Sequence, residues 1–372
     1  MSPPAGAGAF SSGSVCTMLA TLATSQLRAA ASCSASPAIV MPYKKTLTIQ
    51  QMLAAVWPSH SILIIFFTIA TGPPGGTNFP IGVALATAVS SPPGTPPCDE
   101  GGACGVPNLV ATAMTTAGSV VNVKGVVAGT FNSGMAQADV IFRAYHGSGF
   151  DFEGAPLTDL RVVANLFPQF VHVVVRADST AKGIADLRDR RIAVEALGSG
   201  TRRDAELILA AYGLRPTPDQ VMAVPQGDLA GLLMEQRVDA LVLIAGIPVP
   251  TVMNLAGRQA IRFLPIDGPE ARTLTTQHRF FTTDTIPGGT YPGQNPVRTL
   301  SVGAQWVVSA RAPEEQIFLL TQALWNPANR GLLTSGHASG QFIRLRTALR
   351  GIAIPLHPGA QRFYRDAGLL PS

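Results

Sequence analysis

Short apolar runs alternate along the chain with segments of helical spacing, and glycine-rich turns separate many of them. Residues 62–70 and 238–244 are almost continuously apolar, as expected for strands buried on both faces. Residues 203–212 form an amphipathic helical pattern that stops at Gly213, a favourable residue for ending a helix. The repeated order of strand, loop and helix predicts a mostly parallel sheet with helices on both faces.

The same pattern continues over the rest of the chain. The further predicted strands are residues 160–166, 171–176, 191–194, 261–266 and 300–308. The further predicted helices are residues 79–89, 119–129, 229–236, 314–325 and a short one around 361–367. Because Phe167 and Pro168 stand between two of the apolar runs, we expect those runs to be separate strands.

Composition narrows the class of protein. Of the 372 residues, 47% are hydrophobic and 13% charged, with a formal net charge of +5, so the chain is not a disordered one. Lysine and arginine occur in runs no longer than two, which argues against nucleic-acid binding. The longest apolar run, residues 62–70, is too short for a membrane span of about 20 residues. The length predicts two domains of a soluble globular protein.

Residues 1–61 differ from the remainder. The first 37 residues are rich in alanine, serine and glycine, and Arg28 is the one charged residue among them. Small residues before Cys33 would suit a signal peptidase, but a basic start is missing; Met41, followed by Lys44 and Lys45, offers a second possible start. We interpret this part as a degenerate export or anchoring segment, or as a misassigned start, outside the folded domain.

Cys98 and Cys104 bracket a short, glycine-rich turn. Such a turn folds back easily, so we favour a disulfide over two free thiols. A zinc pair is disfavoured because no second Cys or His pair lies at ligand spacing nearby. A disulfide would indicate an oxidising compartment.

The clearest candidate for binding is the loop formed by Gly198, Ser199, Gly200 and Thr201, between a predicted strand and a predicted helix. Glycines let a ligand approach the backbone, and the free N–H groups of a first helical turn attract an anion. An ordinary N-cap turn is the alternative. The loop is not a nucleotide-binding P-loop, which would need a lysine after its last glycine.

Two other turns have a similar composition. Residues 71–77 follow the first predicted strand, and residues 117–119 precede a predicted helix. Neither has the spacing of a dinucleotide-binding turn. Since ligands of open α/β sheets bind at the carboxyl ends of strands, the three turns together favour a cleft for a small carboxylate.

Enzymatic motifs are absent from the sequence: it has no G-x-S-x-G, H-E-x-x-H or C-x-x-C. The six histidines are scattered singly, which disfavours a metal cluster. His357, in a proline-flanked turn, is interpreted as structural. We therefore expect no catalytic residues, no metal and no cofactor.

Taken in order, the motifs resemble one family, the TAXI solute-binding proteins of TRAP (tripartite ATP-independent periplasmic) transporters. The resemblance runs from about residue 67 to 369 and rests on an ordered series of short matches. They are ATGPPGGT (70–77), TAGSVVN (116–122), QAD (137–139), AYHG (144–147), LRVVANL (160–166), IADL (184–187), GSGT (198–201), VDA (238–240), Pro248, IPGGTYP (286–292), and IPLHPGA (354–360) with Tyr364.

This resemblance implies an α/β type II periplasmic-binding-protein fold: two lobes with mostly parallel sheets, joined by two hinge strands near residues 171–176 and 301–307. Lobe 1 would be residues 62–172 plus 303–372, and lobe 2 residues 173–302. The protein would be a periplasmic monomer that hands a small anionic or zwitterionic carboxylate, such as glutamate, another amino acid or a dicarboxylate, to membrane subunits. The implied ligand-binding residues are Thr71, Gly72, Gly118, Ser119, Gln137, Gly198, Ser199, Gly200, Thr201 and Pro248.

The chain departs from this family at Asn78, where relatives usually carry a tyrosine, and in the insert around Cys98. Two alternatives stay open. One is an enzyme on the same fold, such as a pyrimidine-precursor synthase, which would need a catalytic His or Cys in the cleft. The other is the ligand-sensing lobe of a membrane receptor, which would need an anchor.

Overall fold

Two long antiparallel strands, β6 (Leu160–Arg176) and β12 (Val297–Ser309), run through the middle of one continuous sheet. They pair with each other from Leu160 opposite Ser309 to Phe170 opposite Ser301. The computed structural model describes residues 64–149 and 151–371. The segment 1–61, with its predicted export or anchoring role, lies outside them.

The other strands lie on either side of this central pair, and the α-helices connect them. The remaining strands are β1 (Ile65–Ala70), β2 (Ser90–Ser91), β3 (Val106–Pro107), β4 (Leu109–Met114), β5 (Ser133–Gln137), β7 (Ile192–Glu195), β8 (Val221–Val224), β9 (Ala240–Ala245), β10 (Ile261–Phe263) and β11 (Thr282–Ile286). The α-helices are α1 (Asn78–Val89), α2 (Ser119–Ala128), α3 (Ala138–His146), α4 (Gly200–Ala211), α5 (Leu229–Met234), α6 (Pro250–Arg258), α7 (Gly268–Gln277), α8 (Glu314–Trp325), α9 (Arg330–Gly336) and α10 (Pro358–Asp366).

One lobe is built on the amino-terminal strands. β1 lies between β4 and β5 and is parallel to both, and β5 pairs antiparallel with the last part of β12. Apolar side chains of these strands pack against α1, α8 and α10, with Trp306 and Tyr364 fully buried. Because β1 and β4 are parallel neighbours, their carboxyl ends lie at the same edge of the sheet.

The second lobe repeats this arrangement around β7. That strand is parallel to its neighbours β8 and β9, and β9 pairs antiparallel with the second half of β6. Separate apolar clusters on the two faces of this part of the sheet contain Val242 and Leu241, respectively. The prediction of an α/β fold with two lobes and two crossing strands is confirmed. The sheet itself is mixed: β1 is parallel to β4 and β5, and β7 is parallel to β8 and β9, whereas every pairing of β6 and β12 is antiparallel. We retain as a proposal the exact division into 62–172 plus 303–372 and 173–302, whose boundaries fall within β6 and β12.

The expectation that Pro168 separates two strands is wrong. β6 continues through it as one strand of 17 residues, and Pro168 lies opposite Gly303 where the chain passes between the lobes. A proline lacks the N–H of a ladder hydrogen bond, so a strand tolerates it where one pairing is locally weak. The register of β6 and β12 shifts between Ala304 and Gln305, close to this point.

Two further features bear on the predictions. Cys98 and Cys104 are joined by a disulfide that closes the predicted turn. None of the helices in the described ranges combines the length and the apolar character that crossing a bilayer requires.

Candidate ligand-binding site

Three strand-to-helix turns meet at a cavity between the two lobes. The turn after β1 leads into α1, the turn after β4 into α2, and the turn after β7 into α4. The cavity has a volume of about 30 Å³, enough for one or two waters. Its lining residues are Gly72, Pro73, Gly76, Thr77, Asn78, Gly118, Ser119, Gln137, Gln169, Glu195, Ser199, Gly200, Thr201, Gln226, Ile244 and Ala245.

The start of α4 contributes the GSGT loop to this cavity. Ser199 is the N-cap, and its Oγ accepts a hydrogen bond from the N–H of Thr201 at 3.1 Å. Gly198, with φ of +89°, takes a left-handed conformation that favours glycine. A Cβ added to Gly200 would collide with Oε1 of Gln137, so the two lobes touch here through a glycine.

α2 begins at the opposite wall, on the first lobe. The hydroxyl of Ser119 accepts a hydrogen bond from the N–H of Gln137 at 3.1 Å, which ties the start of α2 to the end of β5. The N–H of Val120 donates to the carbonyl of Gly198 at 3.1 Å. The amino-terminal ends of α2 and α4 therefore face each other across the cavity and are in direct hydrogen-bond contact.

Seven of the ten residues predicted to bind ligand line this cavity: Gly72, Gly118, Ser119, Gln137, Ser199, Gly200 and Thr201. The other three do not line it. The Thr71 hydroxyl donates to the carbonyl of Met114 at 2.8 Å, and thus joins the ends of β1 and β4. Gly198 lies on a neighbouring surface pocket, and the carbonyl of Pro248 is hydrogen-bonded to His337 Nε2 at 2.7 Å.

Glu195 is a lining residue that the sequence reasoning missed. It ends β7, is 7% exposed, and accepts a hydrogen bond from the hydroxyl of Thr201 at 2.9 Å. Burial raises the pKa of Glu195 to about 7, although hydrogen bonds from Ser199 and Thr201 pull it downward. A carboxyl group at the end of an otherwise apolar strand, directly before a glycine loop, was the signal available in the sequence.

Gln169 and Gln226 were also missed, and with Gln137 they bring three buried side-chain amides to the cavity. Within the described part of the chain, Oε1 of Gln137, Oε1 of Gln169 and Nε2 of Gln226 have no hydrogen-bond partner. Buried polar atoms are normally hydrogen-bonded, so three unpartnered ones around one cavity mark a place where a polar ligand would complete them. No lysine, arginine or histidine occurs among the described residues that line the cavity.

Several polar contacts hold the lobes together around the site. The hydroxyl of Thr77 donates to the carbonyl of Gly246 at 2.8 Å, and that of Thr251 donates to the carbonyl of Gly75 at 2.9 Å. Both contacts join an element of one lobe to an element of the other. A cavity of this size must open before it can admit an amino acid or a dicarboxylate.

A buried ion cluster lies beside the cavity and also bridges the lobes. Arg143 of α3 is paired with Asp139 on its own helix and, at 2.8 Å, with Asp204 of α4. Burial, and then the neighbouring Asp139, raise the pKa of Asp204 well above its usual range, while Arg143 lowers it. The pairing links α3 to the helix that carries the GSGT loop.

Comparison with known proteins places the chain in a family. A model described as the NMT1-like family matches residues 69–368. Among solved structures, the alkanesulfonate-binding protein SsuA from Xanthomonas axonopodis pv. citri, bound to MOPS, is 15% identical, with 82% of this chain and 80% of that chain covered and a TM-score of 0.45. MatC from Rhodopseudomonas palustris with bound malate is 14% identical, with 82% and 97% covered and a TM-score of 0.48. A TctC solute-binding protein from Polaromonas is 15% identical, with 75% and 93% covered and a TM-score of 0.43. Because the family model spans most of the sequence, this protein belongs to the NMT1-like family.

Proposed function

We propose that this protein is the extracytoplasmic solute-binding receptor of a TRAP-type transporter, of the TAXI family. It would bind a small carboxylate, an amino acid such as glutamate or a dicarboxylate, between its lobes and deliver it to membrane subunits. The observation that carries the proposal is the convergence of three strand-to-helix turns on one interlobe cavity lined by unpartnered buried amides. Strand ends of this kind are where α/β sheets bind their ligands.

The starts of α2 and α4 supply the chemistry for holding a carboxylate. The first N–H groups of a helix lack intrahelical partners, and the helix dipole adds a partial positive charge at the same end. Those of Val120 and Thr201 already donate to Gly198 and Ser199, so the remaining N–H groups of the two first turns would hold the anion. Glycines at 118 and 200 keep side chains away from these backbone groups. An anion can therefore be bound there without a basic side chain.

Hinge closure follows from the way in which the lobes are connected. β6 and β12 pass between them, whereas the contacts of Thr77 and Thr251 across the cleft are single hydrogen bonds. Opening breaks these contacts together with the Val120–Gly198 hydrogen bond and the Arg143–Asp204 pair, while β6 and β12 keep the lobes connected. A receptor needs such a change of shape so that its transporter can distinguish the loaded form from the empty one.

The disulfide between Cys98 and Cys104 supports an extracytoplasmic location, because disulfides persist in oxidising compartments. The histidines that the enzyme alternative would have used lie elsewhere. His172 is buried and bonded to the Tyr291 hydroxyl at 2.8 Å, and His357 caps α10. Neither lines the cavity.

Isothermal titration of the purified protein with the twenty L-amino acids and with C4 and C5 dicarboxylates tests the proposal. We expect at least one of them to bind, with a decrease in the radius of gyration measured by small-angle X-ray scattering. Gly200→Val, which places a side chain against Gln137, should weaken that binding at least tenfold. Gly257→Val is the control, because Gly257 is an exposed helical residue with open space around its Cα.

A folded protein that binds none of these carboxylates would overturn the proposal. So would binding that Gly200→Val leaves unchanged, because the ligand would then lie outside this cavity. Native mass spectrometry of protein purified without denaturation gives an independent check, since a co-purifying small acid would identify the ligand by its mass.

A further inference from the structure

The polar atoms that line the cavity include both hydrogen-bond acceptors and hydrogen-bond donors. Three of the lining side chains present hydrogen-bond acceptors: the carboxyl group of Glu195, and the Oε1 atoms of Gln137 and Gln169, which have no partner among the described residues. All three side chains are more than nine-tenths buried. The amide of Gln169 already donates through Nε2 to Oδ1 of Asn78 at 2.9 Å, which leaves its oxygen as the atom in need of a donor.

A second set of groups in the same cavity consists of donors. Nε2 of Gln226 is buried without a partner, and the amino-terminal turns of α2 and α4 lie at the walls. An ammonium group carries three N–H donors and no acceptor, and a carboxylate only accepts. A ligand that carries both groups would find acceptors for its ammonium and donors for its carboxylate in the same cavity.

The charge of the lining residues distinguishes between the two ligand classes that the proposed function leaves open, amino acids and dicarboxylates. Among the lining residues that the structure describes, the one ionisable side chain is acidic, and none is basic. A dicarboxylate would bring two negative charges beside Glu195 without a cationic side chain to offset them. An amino acid would place its ammonium there, and a buried charge is tolerated when it is paired and hydrogen-bonded.

We propose that Glu195, with Gln137 and Gln169, recognises the ammonium group of the ligand, so that this receptor selects zwitterionic amino acids and rejects dicarboxylates. The inference rests on the proposed function, because it assumes a carboxylate ligand in this cavity. Thr201 acts as a positioning residue: its hydroxyl donates to Glu195 and accepts from the N–H of Ile244 at 3.2 Å, which fixes the carboxyl against β9.

The titration of Glu195 agrees with this role. Burial holds its pKa near 7, and the groups that act on it besides burial are the hydroxyls of Ser199 and Thr201; no charged side chain of the described residues contributes. The nearest basic side chains on α4, Arg202 and Arg203, are instead paired with Glu206. An ammonium ligand would favour the ionised form, so binding at pH 6.5 should release about three-quarters of a proton.

The experiment compares ligands that differ only in the amino group. Isothermal titration of the wild-type protein with L-glutamate and glutarate, and with L-aspartate and succinate, is extended to the deamino form of any other amino acid that binds. We expect the amino acid to bind on the order of 100-fold more tightly than its deamino analogue. Repeating the titration at pH 6.5 in buffers of different ionisation enthalpy measures the released proton.

Glu195→Gln should lower the affinity for the amino acid on the order of 100-fold and leave that for the deamino analogue equal or higher. Glu235→Gln, which removes an exposed carboxylate from the same lobe, is the matched control and should change neither. Equal binding of a dicarboxylate and its amino acid, or no proton release, overturns the role of Glu195 while the proposed receptor function stands. Failure of all these acids to bind overturns the proposed function itself. The comparison of ligands on the wild-type protein does not depend on the folding of the variant.

Discussion

Glu195→Gln also makes a sharp prediction about stability in the absence of ligand. The pKa of Glu195 is about 7 in the native protein, against an ordinary value of 4.5. The native state therefore binds the proton more tightly than the unfolded chain does. The stability that this group contributes is fully present below pH 4.5 and is lost as the pH rises through about 7.

The magnitude follows from the difference between the two pKa values. A shift of about 2.5 units corresponds to about 3 kcal/mol of unfolding free energy, because each unit is worth 1.36 kcal/mol. Glutamine keeps the shape of the side chain and does not ionise, so the variant does not pay this penalty at high pH. Relative to the wild type, Glu195→Gln should gain about 3 kcal/mol between pH 4 and pH 8.

Urea unfolding of both proteins at half-unit steps from pH 4 to pH 8 measures this difference. Every other titrating group is shared, so the difference between the two curves isolates Glu195. Glu235→Gln provides the control for removing an exposed carboxylate. A difference that stays constant across this range would refute the reasoning, because it would mean that the carboxyl of Glu195 is solvated in the native protein.

Three further predictions concern the contacts around the site. Arg143→Ala leaves Asp139 and Asp204 buried without their cation. Urea unfolding at pH 7.5 should therefore show that the unfolding free energy is lower by about 3–5 kcal/mol. A loss below about 1 kcal/mol would contradict a buried ion bridge. Gly246→Ala adds a Cβ at 2.8 Å from Cγ2 of Thr77 and 2.9 Å from Cε2 of Phe167, which hinders closure of the lobes. The variant with ligand present should therefore have a larger radius of gyration than the loaded wild type and bind the ligand at least tenfold more weakly. The exposed Gly257→Ala should change neither quantity. Cys98→Ser opens the short loop closed by the disulfide and should lower the unfolding free energy by about 2 kcal/mol. An equal loss in wild-type protein treated with reductant would identify the disulfide as the cause. No loss in either protein would contradict a stabilising role of the disulfide.

Much of the fold could be predicted from local sequence. Continuous apolar runs and amphipathic periods identified six of the twelve strands and six of the ten α-helices of the described residues to within a few residues, because strand and helix formation depend on neighbours along the chain. The glycine-rich turns were found for the same reason: the conformation of Gly198 and the cap at Ser199 are properties of a few adjacent residues. The convergence of three such turns on one cavity was an expectation from the topology of α/β sheets.

Other features were decided only by the tertiary structure, because they depend on contacts between residues that are far apart in the sequence. β6 continues through Pro168 because β12 lies beside it, a pairing that the proline itself predicts against. Thr71 and Pro248 are occupied by contacts with Met114 and His337, so residue type alone could not tell a ligand-binding group from a structural one.

The chemistry of the site was also decided in three dimensions. Glu195, Gln169 and Gln226 are single polar residues in unrelated segments, and nothing along the chain connects them. They become a set only when β6, the end of β7 and the turn before α5 meet at the cavity. Burial there raises the pKa of Glu195 and leaves amide atoms without partners, because desolvation depends on every surrounding group and not on sequence neighbours.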